Sequence, residues 1–159
     1  MKRATVLLVL LSIFLLSACA AGSTQTNTTG SGNDDYIENH FVFKGESESW
    51  TGEMKVDSTL QFYEKDGVLD CDANEDHTLT VTYKGDVSDL ASVKQLKIDF
   101  DAGPSGGGLE EEHADDPIAQ KTFVMQGGGN GAQIQKDQII TVTVTIDGKT
   151  ENFEMKNQG

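Results

Sequence analysis

From about Tyr36 onward, apolar and polar residues alternate in short runs separated by Gly, Asp, Asn and Lys. Trp50, Gly52, Met54 and Val56 alternate with Thr51, Glu53, Lys55 and Asp57, a period of two that predicts a strand with one buried and one wet face. The same period recurs where Leu79, Val81 and Tyr83 alternate with threonines, and where Leu96, Ile98 and Phe100 alternate with Lys97, Asp99 and Asp101. Near the C-terminus Ile140, Val142, Val144 and Ile146 alternate with Thr141, Thr143 and Thr145. Asp147-Gly148 then supplies a two-residue hairpin turn, and the returning strand carries Phe153 and Met155 inward. Shorter strands are predicted at 41–44, 60–63 and 122–125, and residues 87–93 suit a single helical turn between strands. About eight short strands with frequent turn signals predict an all-β fold: an antiparallel β-sandwich, immunoglobulin-like, with a small closed barrel as the competing architecture.

The first residues follow a different pattern. Lys2 and Arg3 precede a run from Ala4 to Leu16 of 13 residues without a charge. A membrane-spanning helix needs about 20 apolar residues and a signal-peptide core roughly 7 to 15, so the length predicts a signal peptide. Small residues then lead directly into a cysteine, Leu16-Ser17-Ala18-Cys19. This tetrapeptide resembles the lipobox of bacterial lipoproteins. The resemblance implies diacylglyceryl transfer to the Cys19 thiol, cleavage between Ala18 and Cys19, and a mature chain held at the membrane by its lipidated first residue. Two acyl chains anchor stably where one gives only marginal residence. Residues 22–35, GSTQTNTTGSGNDD, offer nothing to bury and read as a coil with a reach of roughly 20 Å. The expected organisation is therefore a signal peptide at 1–18, a lipid-anchored linker at 19–35 and a β domain at 36–159.

Charge narrows the range of partners. Against 26 Asp and Glu the chain has 12 Lys and Arg, a formal net charge of −14, with no segregated basic face, so nucleic acid is excluded as a partner class. Loss of Lys2 and Arg3 on cleavage takes the balance to −16, and such a domain stands off anionic lipid rather than lying flat on it.

Inside the domain the most suggestive segment is Asp70-Cys71-Asp72-Ala73-Asn74-Glu75-Asp76. Oxygen side chains at Asp70, Asp72, Asn74 and Asp76 resemble the start of a calcium loop. The sixth position, however, is Glu75 where a sharp turn needs glycine, and the twelfth is Val81 where a bidentate glutamate would close the shell. A solvated interstrand loop is the primary expectation, and a calcium-stabilised, adhesion-like domain the alternative. Cys71, left without a partner once Cys19 carries lipid, is either a small buried hydrophobe or a reactive thiol; with no adjacent base the inert reading is favoured. Glu110, Glu111, Glu112, His113, Asp115 and Asp116 follow a glycine-rich stretch and read as a long charged loop, because zinc needs three or four convergent ligands at set spacing. Gly127-Gly128-Gly129-Asn130-Gly131 lacks both the following helix and the lysine of a phosphate loop, and reads as a flexible connection. His40, His77 and His113 sit in separate segments and no nucleophile motif accompanies them, so a non-enzymatic module is expected. An envelope enzyme whose residues converge only in three dimensions is the second alternative.

The fragments GESESW at 45–50, LTVTYKGD at 79–86, the glycine-rich 127–131 and TVTIDGKTENFEMK at 143–156 are together similar to uncharacterised small lipoproteins of Gram-positive bacilli. Many of those carry a tryptophan near the final hairpin, where this chain has Ile146-Asp147-Gly148-Lys149. The resemblance implies a position on the outer leaflet of the cytoplasmic membrane, facing the cell wall, and no known activity. The primary functional expectation is a lipid-anchored binding or structural module that uses sheet edges or loops to contact an envelope partner, protein or ligand.

Overall fold

The computed structural model describes residues 35–159. The expected signal segment 1–18, Cys19 and the expected tether up to residue 34 lie outside the described residues. The chain forms β1 (Asp35–Glu46), β2 (Trp50–Lys65), β3 (Val68–Tyr83), β4 (Gln95–Asp101), β5 (Gly106–Glu112), β6 (Thr122–Gly129), β7 (Ile140–Ile146) and β8 (Lys149–Asn157), with one 3-10 turn at Val87–Leu90. All pairings are antiparallel, in the order β5-β4-β7-β8-β1-β2-β3-β6. The all-β expectation holds. The sheet winds back on itself as a sandwich or barrel-like shell.

Its connectivity is not that of the immunoglobulin arrangement expected from strand count. β1, β2 and β3 form a meander beside β6, whereas an immunoglobulin sandwich sends its third strand to the opposite sheet. The two halves, β1-β2-β3-β6 and β5-β4-β7-β8, meet at a short seam where Phe43 and Lys44 of β1 face Asn157 and Lys156 of β8 and the Gln158 N–H donates to the Val42 carbonyl.

The inward positions of the period-two runs meet in one core. Phe43, Trp50, Met54, Val56, Leu79, Val81 and Phe123 from the first half pack against Leu96, Ile98, Phe100, Ile140, Val142, Val144, Phe153 and Met155 from the second. Leu90 and Val93, Ile118, and Ile134 close the shell from the connections. On the outer surface threonines meet across strands, Thr82 with Thr122 at 3.2 Å and Thr145 with Thr150 at 3.0 Å.

Eight strands are observed, though not the eight expected. The predicted strands at 50–57 and 60–63 are one strand, β2. Ser58 occupies an inward position and is buried, so the alternation runs unbroken through Leu60 and Phe62. The region 70–76, expected as a loop, belongs to β3, and part of the expected charged loop at 106–112 is β5. β2 and β3 are joined by Asp66-Gly67, both in the left-handed region at φ 55° and 77°, the same turn chemistry as Asp147-Gly148 at 46° and 79°.

Candidate functional site

The meander outruns the core. Beyond Ser58 of β2 and before Glu75 of β3 no residue is buried, yet the two strands stay paired to Lys65 and Val68, and β1 accompanies them to Asp35 opposite Phe62. The result is a three-stranded arm. Residues opposite one another share a face, which makes the two sides different. The side continuous with the core carries the rows Ile37, Leu60, Ala73 and Phe62, Cys71, with Leu69 nearer the tip. The other side carries Tyr36, Gln61, Asp72 and Tyr63, Asp70, followed by Glu38, Thr59, Asn74 and then His40, Asp57, Asp76. Leu69, opposite Glu64, is 71% exposed, so the core side reaches the tip without cover from the rest of the domain; Val68, 65% exposed, stands on the acidic side opposite Lys65.

Asp70, Asp72, Asn74 and Asp76 therefore do not converge. They point from one face of a continuous strand at steps of about 7 Å, and the outer two are about 20 Å apart. Calcium needs six to eight oxygens at about 2.3–2.6 Å, a shell that a strand with this spacing cannot supply by itself. Among the described residues no group of three or more His, Cys, Asp and Glu side chains lies close enough to hold a metal ion. The interstrand-loop expectation is corrected for the same reason: these residues alternate across a sheet. Cys71 is corrected in part, because it is exposed and not a buried hydrophobe.

The arm has an open edge. β6 pairs with β3 only from Glu75, opposite Gly129, to Thr82, and among the described residues nothing pairs with Val68 to Asn74 on that side. The Cys71 N–H donates to its neighbour's carboxylate, Asp70 Oδ1, at 2.9 Å and takes no part in the β2 ladder. By alternation the main-chain groups of Leu69, Cys71 and Ala73 face the same open side. After Gly129 the chain turns away at Asn130-Gly131, leaving a groove of about 670 Å³ walled by that turn, by Cys71 to Asn74, and by Tyr36, Thr59 and Gln61. The local potential is negative. Tyr63 donates to Asp72 Oδ1 at 3.3 Å, and partial burial followed by the nearby Asp70 and Asp72 carboxylates raises its phenol above the ordinary tyrosine value.

At the base of the arm the strands enclose polar groups. Glu75 and His77 occupy inward positions of β3, 5% and 8% exposed, with His77 Nδ1 3.2 Å from Glu75 Oε1. Glu75 Oε2 accepts the Ile134 N–H at 2.6 Å, and the Gln133 amide donates to the carbonyls of Thr59 and Asn74 at 2.8 and 2.9 Å. Residues 133 and 134 thus plug the shell beneath the arm. The ring of His77 lies edge-on to Phe100, and a Cβ on Gly127 would sit 2.6 Å from His77 Nε2. That glycine run, expected as a flexible connection, is largely the end of β6, kept bare to admit the histidine.

The remaining histidines are peripheral. His40 pairs with Asp57 at 2.6 Å on the outer face, and His113 lies 3.1 Å from Glu111 Oε2 on β5. The three histidines lie in separate places in the structure. Sequence reasoning missed the open edge of β3 and the roles of Tyr63 and Gln133. A signal for the first was present, since Leu69, Cys71 and Ala73 alternate with Asp70, Asp72 and Asn74.

No family model matches the chain, no curated protein sequence is significantly similar to it, and no solved structure is significantly similar to its fold.

Proposed function

We propose that this protein is a lipid-anchored, non-enzymatic envelope module that presents its three-stranded arm to a partner at the cell surface. The observation that carries the binding half is the open edge and uncovered apolar face of the arm, surfaces that add a strand or receive an extended segment in known recognition modes. The anchoring half rests on the charge-free run from Ala4 to Leu16 ending in Leu16-Ser17-Ala18-Cys19. The two halves fit together. β1 begins at Asp35 opposite Phe62, so the tether joins the domain on the arm, and a coil of this length gives roughly 20 Å of reach from a lipidated Cys19. The net negative charge holds the domain clear of an anionic leaflet, which leaves the arm free for a protein or polymer of the envelope.

The test is mass spectrometry of the mature protein extracted from membranes. The expected result is a chain beginning at Cys19 with a diacylglyceryl thioether. A Cys19→Ala chain that is still cleaved and still fractionates tightly with membranes overturns the anchoring half.

A further inference from the structure

We infer that the free edge of β3, Leu69 to Asn74, is a strand-addition site for an extended basic peptide segment in which cationic and apolar residues alternate. The inference deepens the proposed envelope-binding role and rests on it, naming the site and the chemistry of the partner.

Three features of the arm select this occupant. First, main-chain groups of Leu69 and Ala73 face the open side, the Cys71 N–H between them is held only by the adjacent Asp70 carboxylate, and β6 leaves that side free by ending its pairing at Glu75. A strand added there lies about 4.8 Å from β3. Second, the two faces of the edge differ in kind. An incoming strand places alternate side chains beside Asp70 and Asp72 on one face and beside Leu69, Cys71 and Ala73 on the other. Period-two alternation of lysine or arginine with apolar residues matches both. Third, charge excludes the nearest competitors. A second copy offering the same edge sets Asp70 and Asp72 against like charges, which opposes pairing. The tether GSTQTNTTGSGNDD brings neither apolar residues nor cations, and ends in two aspartates.

Binding is measured on the mature protein in neutral detergent with a labelled nine-residue peptide, lysine at alternate positions and valine or alanine between, by fluorescence anisotropy. Amide exchange of β3 and alkylation of Cys71 by iodoacetamide are followed in parallel. Expected are saturable binding, slowed exchange at Leu69 and Ala73, and slowed alkylation of Cys71. N-methylation of the alternate peptide amides that face β3 should abolish binding, while N-methylation of the other set leaves it. The double variant Asp70→Asn, Asp72→Asn, on the solvated face and compatible with the strand, should bind about tenfold more weakly, as two lost cross-strand charge pairs require. The proposal is overturned if the peptide does not bind, if either N-methylated form binds as well as the parent, or if the double variant binds unchanged, since a polycation then adheres to the acidic domain without strand pairing. It is also overturned if the protein alone is a dimer in which Cys71 is already shielded, because a second copy then covers the edge. None of these readouts depends on the mass of the lipidated Cys19, so failure here is distinguishable from failure of the anchoring proposal.

Discussion

The polar plug beneath the arm gives the sharpest test of how the shell is closed. Glu75 is 5% exposed and its carboxylate serves two partners, the Ile134 N–H at 2.6 Å and His77 Nδ1 at 3.2 Å. Ile134 is fully buried and His77 nearly so, so neither group recovers a water partner when the carboxylate is removed. Leaving one buried polar group unsatisfied costs about 1–3 kcal/mol. Here two such groups are stranded at once, and their costs add to about 3–5 kcal/mol. Glu75→Ala is therefore expected to lose about 3–5 kcal/mol, a large fraction of the roughly 5–15 kcal/mol that a domain possesses.

The conservative variant separates hydrogen bonding from charge. Glu75→Gln keeps an acceptor oxygen for the Ile134 N–H and a polar atom for His77, and is expected to lose about 1 kcal/mol. Urea unfolding with the slope held common to all variants supplies the measurement. In thermal melts the Ala variant should fall by about 12–20 °C, at about 4 °C per kcal/mol for a domain of this size. A cycle with His77→Ala should give a coupling of about 1–3 kcal/mol, since the two side chains share one network. A loss under about 1 kcal/mol for Glu75→Ala, or equal losses for the Ala and Gln variants, refutes the assignment of Glu75 as the bond between β3 and the plug.

Two further sites, Gly45 and Glu151, probe the opposite side of the shell. At the short seam of β1 and β8, a Cβ on Gly45 would run into the carbonyl oxygen of Glu154, a backbone atom with no rotamer to move. Gly45→Ala should cost about 1–3 kcal/mol or more, whereas Gly129→Ala, which meets open space, should stay within about 0.5 kcal/mol; equal melting points for the two dismiss the seam as a constraint. Glu151 ties the β1–β2 connection to β8: hydrogen bonding from the Ser49 side chain lowers its pKa most, partial burial opposes this, and the Ser47 hydroxyl at 2.7 Å and the Ser49 amide at 3.1 Å add to it. A carboxyl group lowered in the folded state stabilises fully above its unfolded pKa, and that contribution is lost as pH falls through the folded value. Protonation of the other carboxylates relieves self-repulsion at the same time, so the informative quantity is the difference between wild type and Glu151→Gln. The stability gap should be widest near neutral pH and close below the ordinary glutamate range, and a gap independent of pH rejects the linkage.

The legible part of this fold was the part in which inward positions are apolar. β7, with Ile140, Val142 and Val144 inward and threonines outward, announces both its type and its face, and its Asp-Gly turn announces its partner. β2 was cut in two because Ser58 fills an inward position, and the hydroxyl interrupts the pattern without interrupting the strand. β3 was curtailed for the same reason on a larger scale, because the inward positions below Leu79 are His77, Glu75, Ala73 and Cys71. β5 offers one apolar residue, Leu109, among glycines and glutamates; it is a strand because β4 supplies a ladder of seven pairs, and Gly107 is bare because a Cβ there would press on the Phe100 ring.

The acidic segment shows why the candidate site was harder to read than the core. Convergence of alternate ligands, as calcium requires, and divergence of alternate side chains, as a strand requires, use the same period of two in sequence. What separates them is the partner strand: once Gln61 and Tyr63 pair with Asp72 and Asp70, the carboxylates must point outward in a row. Whether that row borders a covered or an open edge is decided still further away, by β6 turning off at Asn130-Gly131 opposite the start of the buried Glu75-His77 pair. Gln133 and Ile134 bond to Thr59, Asn74 and Glu75, so continuing β6 along the arm would pull the plug from the shell. The buried polar contacts that close the core are thus the same contacts that hold the edge of the arm open.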